Sequence, residues 1–214
     1  MNELILAANH LLENAPVSWA VCGGFAIDLF LGKETRAHGD IDICVFEKDR
    51  ENILKHMLKS NWQVYEFRGN GKVRSLNAAL SSEPGRNLMC TSGACELVKF
   101  YPCEEEQLLW YEFFHTGLKQ LDYVEFLFNT SMEDAFIFDK SKGIKRELSK
   151  AILYHEGIPY LAPEIVLLYK ASNADNAEYQ YDFEQAYTHM NEEQKSWFLQ
   201  GLDTLYPAGH KWRE

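Results

Sequence analysis

One stretch constrains the fold of this chain more than any other: VSWAVCGGFAIDLFLGKETRAHGDIDICVF, Val17 to Phe46. It reads as a short strand running into a Gly-Gly turn, then a brief helix (FAIDLFLG) that stops at Gly32. A second strand follows, in which Asp40, Asp42, Cys44 and Phe46 alternate with Ile41, Ile43 and Val45. Residues two apart on a strand project to the same side, so Asp40 and Asp42 point together while Ile41 and Ile43 face the core. Two neighbouring carboxylates repel each other unless a cation sits between them or one takes up a proton. A hard divalent ion such as Mg²⁺ resolves that conflict, because it prefers oxygen ligands, uses few protein carboxylates, and completes its shell with water and substrate phosphates. A bare D-x-D also occurs on ordinary exposed strand edges, so the pair does not decide the matter alone.

The glycines upstream add the missing constraint. Gly23 and Gly24 end a strand and open a helix, a geometry that turns backbone N–H groups toward an anion. Without Cβ atoms they let a triphosphate approach the main chain closely. Alone they are an ordinary tight turn; with D-x-D they make a phosphate cradle beside a metal site. Nucleotidyl transfer needs little more than metals to neutralise charge and an acceptor oxygen in line with the leaving pyrophosphate. A pair of ions is commonly held by three carboxylates, the third from a neighbouring strand. Glu125 in DYVEFLFN is the candidate: Val124, Phe126 and Phe128 face one side there, and Tyr123, Glu125 and Leu127 the other. Asp122 and Glu96 are rivals.

The rest of the chain alternates in character. Residues 2–14 have helical spacing and end before Pro16, and Asp49 to Ser60 reads as another helix. The middle, Asn61 to Asn129, carries the strand signals WQVYEF, CELVKFY and DYVEFLFN, broken by RGNGK and SSEPGRN. The run Glu104–Gln107 is a solvated loop or a helix start. After Gly157 the pattern turns helical: Pro163 suits a first helical position, with the helix running through Lys170. Two further helices are expected, over about 178–190 and 192–205, the last opened by an Asn191/Gln194 capping box. The expected organisation is a mixed α/β part, residues 1–158, followed by a helical region, residues 159–214.

Composition narrows the function classes. Hydrophobic content of 46% with 14% aromatics excludes disorder. A net charge of −11 argues against a nucleic-acid partner, which needs clustered Lys and Arg, yet leaves room for a small anionic ligand in a local pocket. Five cysteines with no C-x-x-C pair fit buried thiols in a reducing cytosol. Glu3 stands where a signal peptide carries positive charge, and no apolar run approaches the roughly 18 residues of a membrane span. A cytoplasmic protein with no membrane partner is expected.

The segment GGFAIDLFLGKETRAHGDIDICVF resembles the signature of the DNA polymerase β-type nucleotidyltransferases, in particular the aminoglycoside 2''-adenylyltransferases and lincosamide nucleotidyltransferases. Leu31, Gly32, Thr35, Arg36, His38, Asp40, Ile41 and Asp42 match an L-G-x-x-T-R-x-H-x-D-I-D pattern. GIPYLAPEIVLLYKA, Gly157 to Ala171, resembles a second block, and Tyr181–Phe183 a third, while residues 62–120 match poorly. The resemblance implies an α+β (α/β) nucleotidyltransferase fold, a mixed sheet flanked by helices with a C-terminal helical region. It implies that Asp40 and Asp42 bind Mg²⁺, that Gly23 and Gly24 contact nucleotide phosphates, and that Arg36 and His38 line the same site. Lys170 would reach the triphosphate, Glu125 would be third metal ligand or general base, and Asp182 would help bind a cationic substrate. The implied reaction moves a nucleoside monophosphate, AMP from ATP, to a hydroxyl of a small molecule such as an antibiotic, giving resistance.

One departure stands out. Where such proteins carry R-x-K-x-E-x-D-F, this chain has Asn176, Glu178 and Gln180 ahead of Asp182 and Phe183. That change keeps other readings open. One is a toxin-type nucleotidyltransferase acting on protein or tRNA, the latter disfavoured by the charge. Another is a non-catalytic nucleotide-binding module, which would not demand both aspartates and both glycines. A metal hydrolase built on His38, Asp40 and Asp42 lacks any H-x-x-x-H helix motif.

Overall fold

The computed structural model describes residues 1–77, 83–114, 117 and 120–213, so Ser81 and Ser82 of the expected SSEPGRN break lie outside the described residues. The first half of the chain forms α1 (Glu3–Leu12), β1 (Trp19–Cys22), α2 (Gly23–Leu31), β2 (Asp42–Phe46), α3 (Arg50–Lys59), β3 (Gln63–Gly69), β4 (Lys72–Leu76), β5 (Asn87–Thr91) and β6 (Val98–Pro102). Then come β7 (Leu108–Phe113), β8 (Tyr123–Met132), β9 (Ala135–Ile137), β10 (Lys145–Glu147), α4 (Leu148–Ala151), β11 (Ile152–His155) and β12 (Ile158–Leu161). Three helices close the chain: α5 (Pro163–Lys170), α6 (Ala177–Tyr187) and α7 (Glu192–Leu205). The Asn61–Asn129 region holds more strands than its three clearest signals suggested: β4, β5 and β7 are short, and β4 and β7 are partly exposed.

Two compact units emerge, each assembled from two stretches: residues 1–19 with 37–128, and residues 20–36 with 129–214. The division differs from a linear split at residue 158. β1 runs parallel to β12 with Val21 opposite Tyr160, and α2 packs on α5, α6 and β12, which together draw the Ala20–Arg36 segment to the C-terminal elements.

In the first unit the strand order is β2-β8-β5-β3-β4-β7-β6. From β8 through β6 the neighbours pair antiparallel. Tyr65, Val73, Met89, Leu97, Val98 and Tyr123 form a buried cluster here, flanked by Phe67, Phe100, Tyr111 and Phe113. Tyr65 stacks on Phe100 at 4.0 Å and Phe113 meets Tyr123 edge-on at 5.6 Å, geometries that aromatic pairs favour. A ring nitrogen of His56 in α3 lies 2.7 Å from the Leu11 carbonyl at the end of α1.

In the second unit β11 pairs antiparallel with β12, and β9 pairs antiparallel with both β10 and the end of β8. Pro163 occupies the first turn of α5, where its missing N–H costs nothing. α5 packs against α6, α7 and α2. Phe183 of α6 stacks on Trp212 at 4.6 Å. A buried Glu164 in α5 accepts from Arg146 of β10 (2.8 and 3.1 Å) and from Gln194 of α7 (3.0 Å). Gln194 is also half of the expected capping box: Asn191 Oδ1 accepts from its amide at 2.9 Å, and its Oε1 accepts from the Asn191 amide at 3.0 Å. Asn191→Ala removes one half of that reciprocal cap and is expected to cost about 1 kcal/mol, read as a lower urea midpoint. A variant that unfolds at the wild-type urea concentration would show that the cap contributes nothing.

Candidate functional site

The residues singled out from the sequence fall into two sets, one in each unit. In the first, Asp40 and Ile41 lie just ahead of β2, which begins at Asp42. Asp40 is exposed, Ile41 buried, Asp42 half-buried and Ile43 buried. The alternation matches the two-residue period through Ile43, and beyond it Cys44, Val45 and Phe46 are all buried. The main-chain N–H of Glu125 in β8 donates to the Ile41 carbonyl at 3.3 Å, placing Glu125 beside the residue that separates the two aspartates.

The Glu125 carboxylate is held at both oxygens by neutral donors. Asn87 Nδ2 donates to Oε1 at 3.1 Å and the Tyr123 hydroxyl to Oε2 at 3.2 Å. Tyr123 precedes Glu125 by two positions on the same strand face. Asn87 reaches it from β5, where it lies opposite Leu127 and so diagonal to Glu125. Burial pushes the Glu125 carboxyl above the ordinary glutamate range. The hydrogen bonds from Tyr123 and Asn87 oppose the rise, the Asp40 charge adds to it, and the Arg86 charge opposes it. Burial, then the charges of Glu125, Asp42 and Asp40, push the Tyr123 phenol up as well, so it stays a donor. All three carboxylates thus act on one phenol. The rival Asp122 is also raised by burial, but the charge it feels is that of Glu96, not of Asp40 or Asp42. Among the described residues no three His, Cys, Asp or Glu side chains converge as a metal-holding group, so the expected three-carboxylate cage is not drawn together. His38 is half-buried in the segment just before the aspartates.

Glu125 and Asn87 also line a cavity of about 540 Å³ with Phe67, Arg68, Glu83 and Arg86. Gly85 brings this segment onto β3, since a Cβ there would lie 2.0 Å from the Phe67 carbonyl oxygen.

In the second unit α2 opens at Gly23 with φ of +65°, a left-handed conformation that glycine adopts without strain. Cys22, at the cap position, makes no side-chain hydrogen bond to the helix, so the first N–H groups of α2 carry no side-chain cap. The loop after α2 is tied down residue by residue. Thr35 donates its amide and hydroxyl to Asp28 Oδ1 (3.0 and 2.6 Å), and Tyr181 donates to the Thr35 carbonyl (3.1 Å). Arg36 Nε and Nη2 grip the two oxygens of Asp182 at 3.0 and 3.1 Å, while Nη1 meets Glu178 at 3.1 Å. Lys170 Nζ lies 2.9 Å from Asp182 Oδ2 and 4.1 Å from the centre of the Tyr179 ring.

Asp182 is fully buried, and both of its oxygens are engaged by the chain's own cations. Its surroundings therefore differ from those expected of a residue that meets a cationic substrate, and Lys170 and Arg36 are correspondingly paired with it. The altered residues ahead of it have local work. Asn176 caps α6 by accepting from the amides of Glu178 and Tyr179, and Gln180 accepts from the Trp212 indole at 2.7 Å. Asp28, Tyr181, Tyr123 and Asn87 were not singled out from the sequence. Tyr123 carries a signal there as the i−2 neighbour of Glu125, and Tyr181 as the first residue of the third block.

Residues 4–86 match the family model of the aminoglycoside-2''-adenylyltransferases. No curated protein sequence matches the chain. Among solved structures, the solution structure of the antibiotic-resistance factor ANT(2'')-Ia is 13% identical with a TM-score of 0.55, over 96% of this chain and 92% of that one. ANT(2'')-Ia in complex with adenylyl-2''-tobramycin is 12% identical with a TM-score of 0.56, over 94% and 97%. The lincosamide antibiotic adenylyltransferase LnuA, lincomycin-bound, is 13% identical with a TM-score of 0.51, over 89% and 98%. Among the described residues no helix is long and apolar enough to cross a membrane. The chain is therefore similar over residues 4–86 to the aminoglycoside-2''-adenylyltransferases and shares the fold of ANT(2'')-Ia over most of its length.

Proposed function

We propose that the protein transfers AMP from ATP to a hydroxyl of a small molecule, in the manner of an antibiotic-modifying adenylyltransferase. The observation that carries this reading is the seating of Glu125 against Ile41, with the aspartates on either side and two neutral donors aiming the glutamate carboxylate. Asp40 and Asp42, either side of the buried Ile41, would supply oxygen donors, a set that suits a divalent ion whose other ligands are water and phosphate. Such an ion, when bound, supplies charge neutralisation at the triphosphate. Glu125 serves as general base: it takes the proton of the acceptor hydroxyl as that oxygen bonds to the α-phosphorus and the bond to pyrophosphate breaks. The uncapped N–H groups at Gly23 and Gly24 suit phosphate oxygens. His38 contributes near the aspartates, and Arg36, Lys170 and Asp182 hold the Thr35–Arg36 loop to α5 and α6.

The test uses ATP labelled at the α-phosphate, with tobramycin, lincomycin and simple hydroxyl compounds as acceptors. Label is expected on an acceptor with release of pyrophosphate, and EDTA is expected to abolish it. Transfer that survives EDTA, or ATP binding by calorimetry that is indifferent to Mg²⁺, sinks the proposal.

A further inference from the structure

The cavity beside Glu125 has a charge arrangement that bears on the acceptor. Its walls carry two arginines and two glutamates: Arg68, Arg86, Glu83 and Glu125. Arg68 is committed within the protein, donating to the Glu83 carbonyl at 2.6 Å and to the buried Glu66 at 3.3 Å. Arg86 differs. Its backbone is fixed, because buried Arg50 donates to the Arg86 carbonyl at 3.0 Å while paired with Glu47 and lying 3.7 Å over the Phe128 ring. Its guanidinium is exposed and, among the described residues, makes no hydrogen bond or ion pair. Yet its charge acts on Glu125, so it stands near the proposed base.

A polycationic acceptor would fit these walls badly. If Glu125 takes the acceptor's proton it cannot also hold an ammonium group, and Arg86 stands on the same walls. Resting on the function proposed above, we propose that the acceptor seated here is a hydroxyl compound bearing an anionic oxygen group, carboxylate or phosphate, which pairs with Arg86. A guanidinium offers such a group two parallel N–H bonds, and the pairing leaves the acceptor's hydroxyl to Glu125.

Calorimetric titration of the whole protein, saturated with Mg²⁺ and a non-hydrolysable ATP analogue, separates the possibilities. The probes are glucose 6-phosphate, gluconate, methyl glucoside and tobramycin. The two anions are expected to bind at least about tenfold more tightly than methyl glucoside, and the comparison between them tells phosphate from carboxylate. Arg86→Ala is expected to erase the preference and Arg86→Lys to retain part of it. Tobramycin binding tighter than either anion, a preference untouched in Arg86→Ala, or its loss when the nucleotide analogue is present would each overturn the assignment. Anion binding that depends on Arg86, without transfer of AMP to any probe, would keep the cavity's preference and count against the adenylyl-transfer reading instead.

Discussion

Asp182→Asn is expected to destabilise the protein by roughly 3–5 kcal/mol, the usual cost of removing one partner from a buried ion pair. The carboxylate is wholly buried and is shared by Arg36 and Lys170, whose side chains are themselves only 17% and 9% exposed. An amide keeps the volume but removes the charge, so two cations would face each other across it. Urea denaturation should show a lower midpoint with an unchanged slope. Adding Lys170→Met should recover part of the loss, because the second unpaired cation goes with it. A loss under about 1 kcal/mol, the range of exposed ion pairs, would mean that water reaches the site. Acid offers a second reading. Burial pushes the Asp182 carboxyl up, but the hydrogen bond from Arg36 and the Lys170 charge outweigh it and leave the group below its ordinary range. An acid depressed in the folded state adds stability that is fully present above its unfolded value of about 4 and disappears as pH falls through the folded value. Wild type should therefore lose stability more steeply than Asp182→Asn below about pH 4.

The same ion cluster marks how far local pattern reaches. Helix ends were legible because their signals are neighbours in the chain: Gly32 closing α2, Pro163 opening α5, Asn191 with Gln194 opening α7. The alternation of Asp40 to Ile43 was legible for the same reason, and it placed both aspartates on one face. Pairings across long stretches left no such trace. Nothing local in Val21 announces Tyr160 as its partner, so the assignment of α2 to the C-terminal unit was hidden. Arg36 and Asp182 lie in two motif blocks that the resemblance linked to substrate and nucleotide, and their partnership across 146 positions emerges only on folding. Glu125 could be named from its strand face, but Asn87, which aims it, sits in a short strand whose register against β8 no periodicity specifies.

Glu125→Gln should lower kcat by about 10²–10⁴-fold, the range associated with loss of a positioned general base, while KM for ATP changes little. The single carbonyl oxygen of glutamine can still accept from Asn87 while its amide nitrogen donates to the Tyr123 hydroxyl oxygen, so the folded structure should persist and the urea midpoint should stay close to wild type. The pH profile carries the sharper test. The base acts when ionised, and burial reinforced by the Asp40 charge holds its carboxyl above the ordinary glutamate range of about 4.3. For wild type, kcat should therefore fall on the acid side at a pH above that range. Asn87→Ala removes a hydrogen bond that favours the charged form, so it should move the acid limb further up. Glu125→Gln should remove that limb, leaving a low rate that is flat in pH. Were Glu125 instead a metal ligand, the variant would need far more Mg²⁺ for half-maximal rate and would keep an acid limb. A titration of rate against Mg²⁺ for wild type and variant decides between the two roles, because a base leaves the metal requirement where it was.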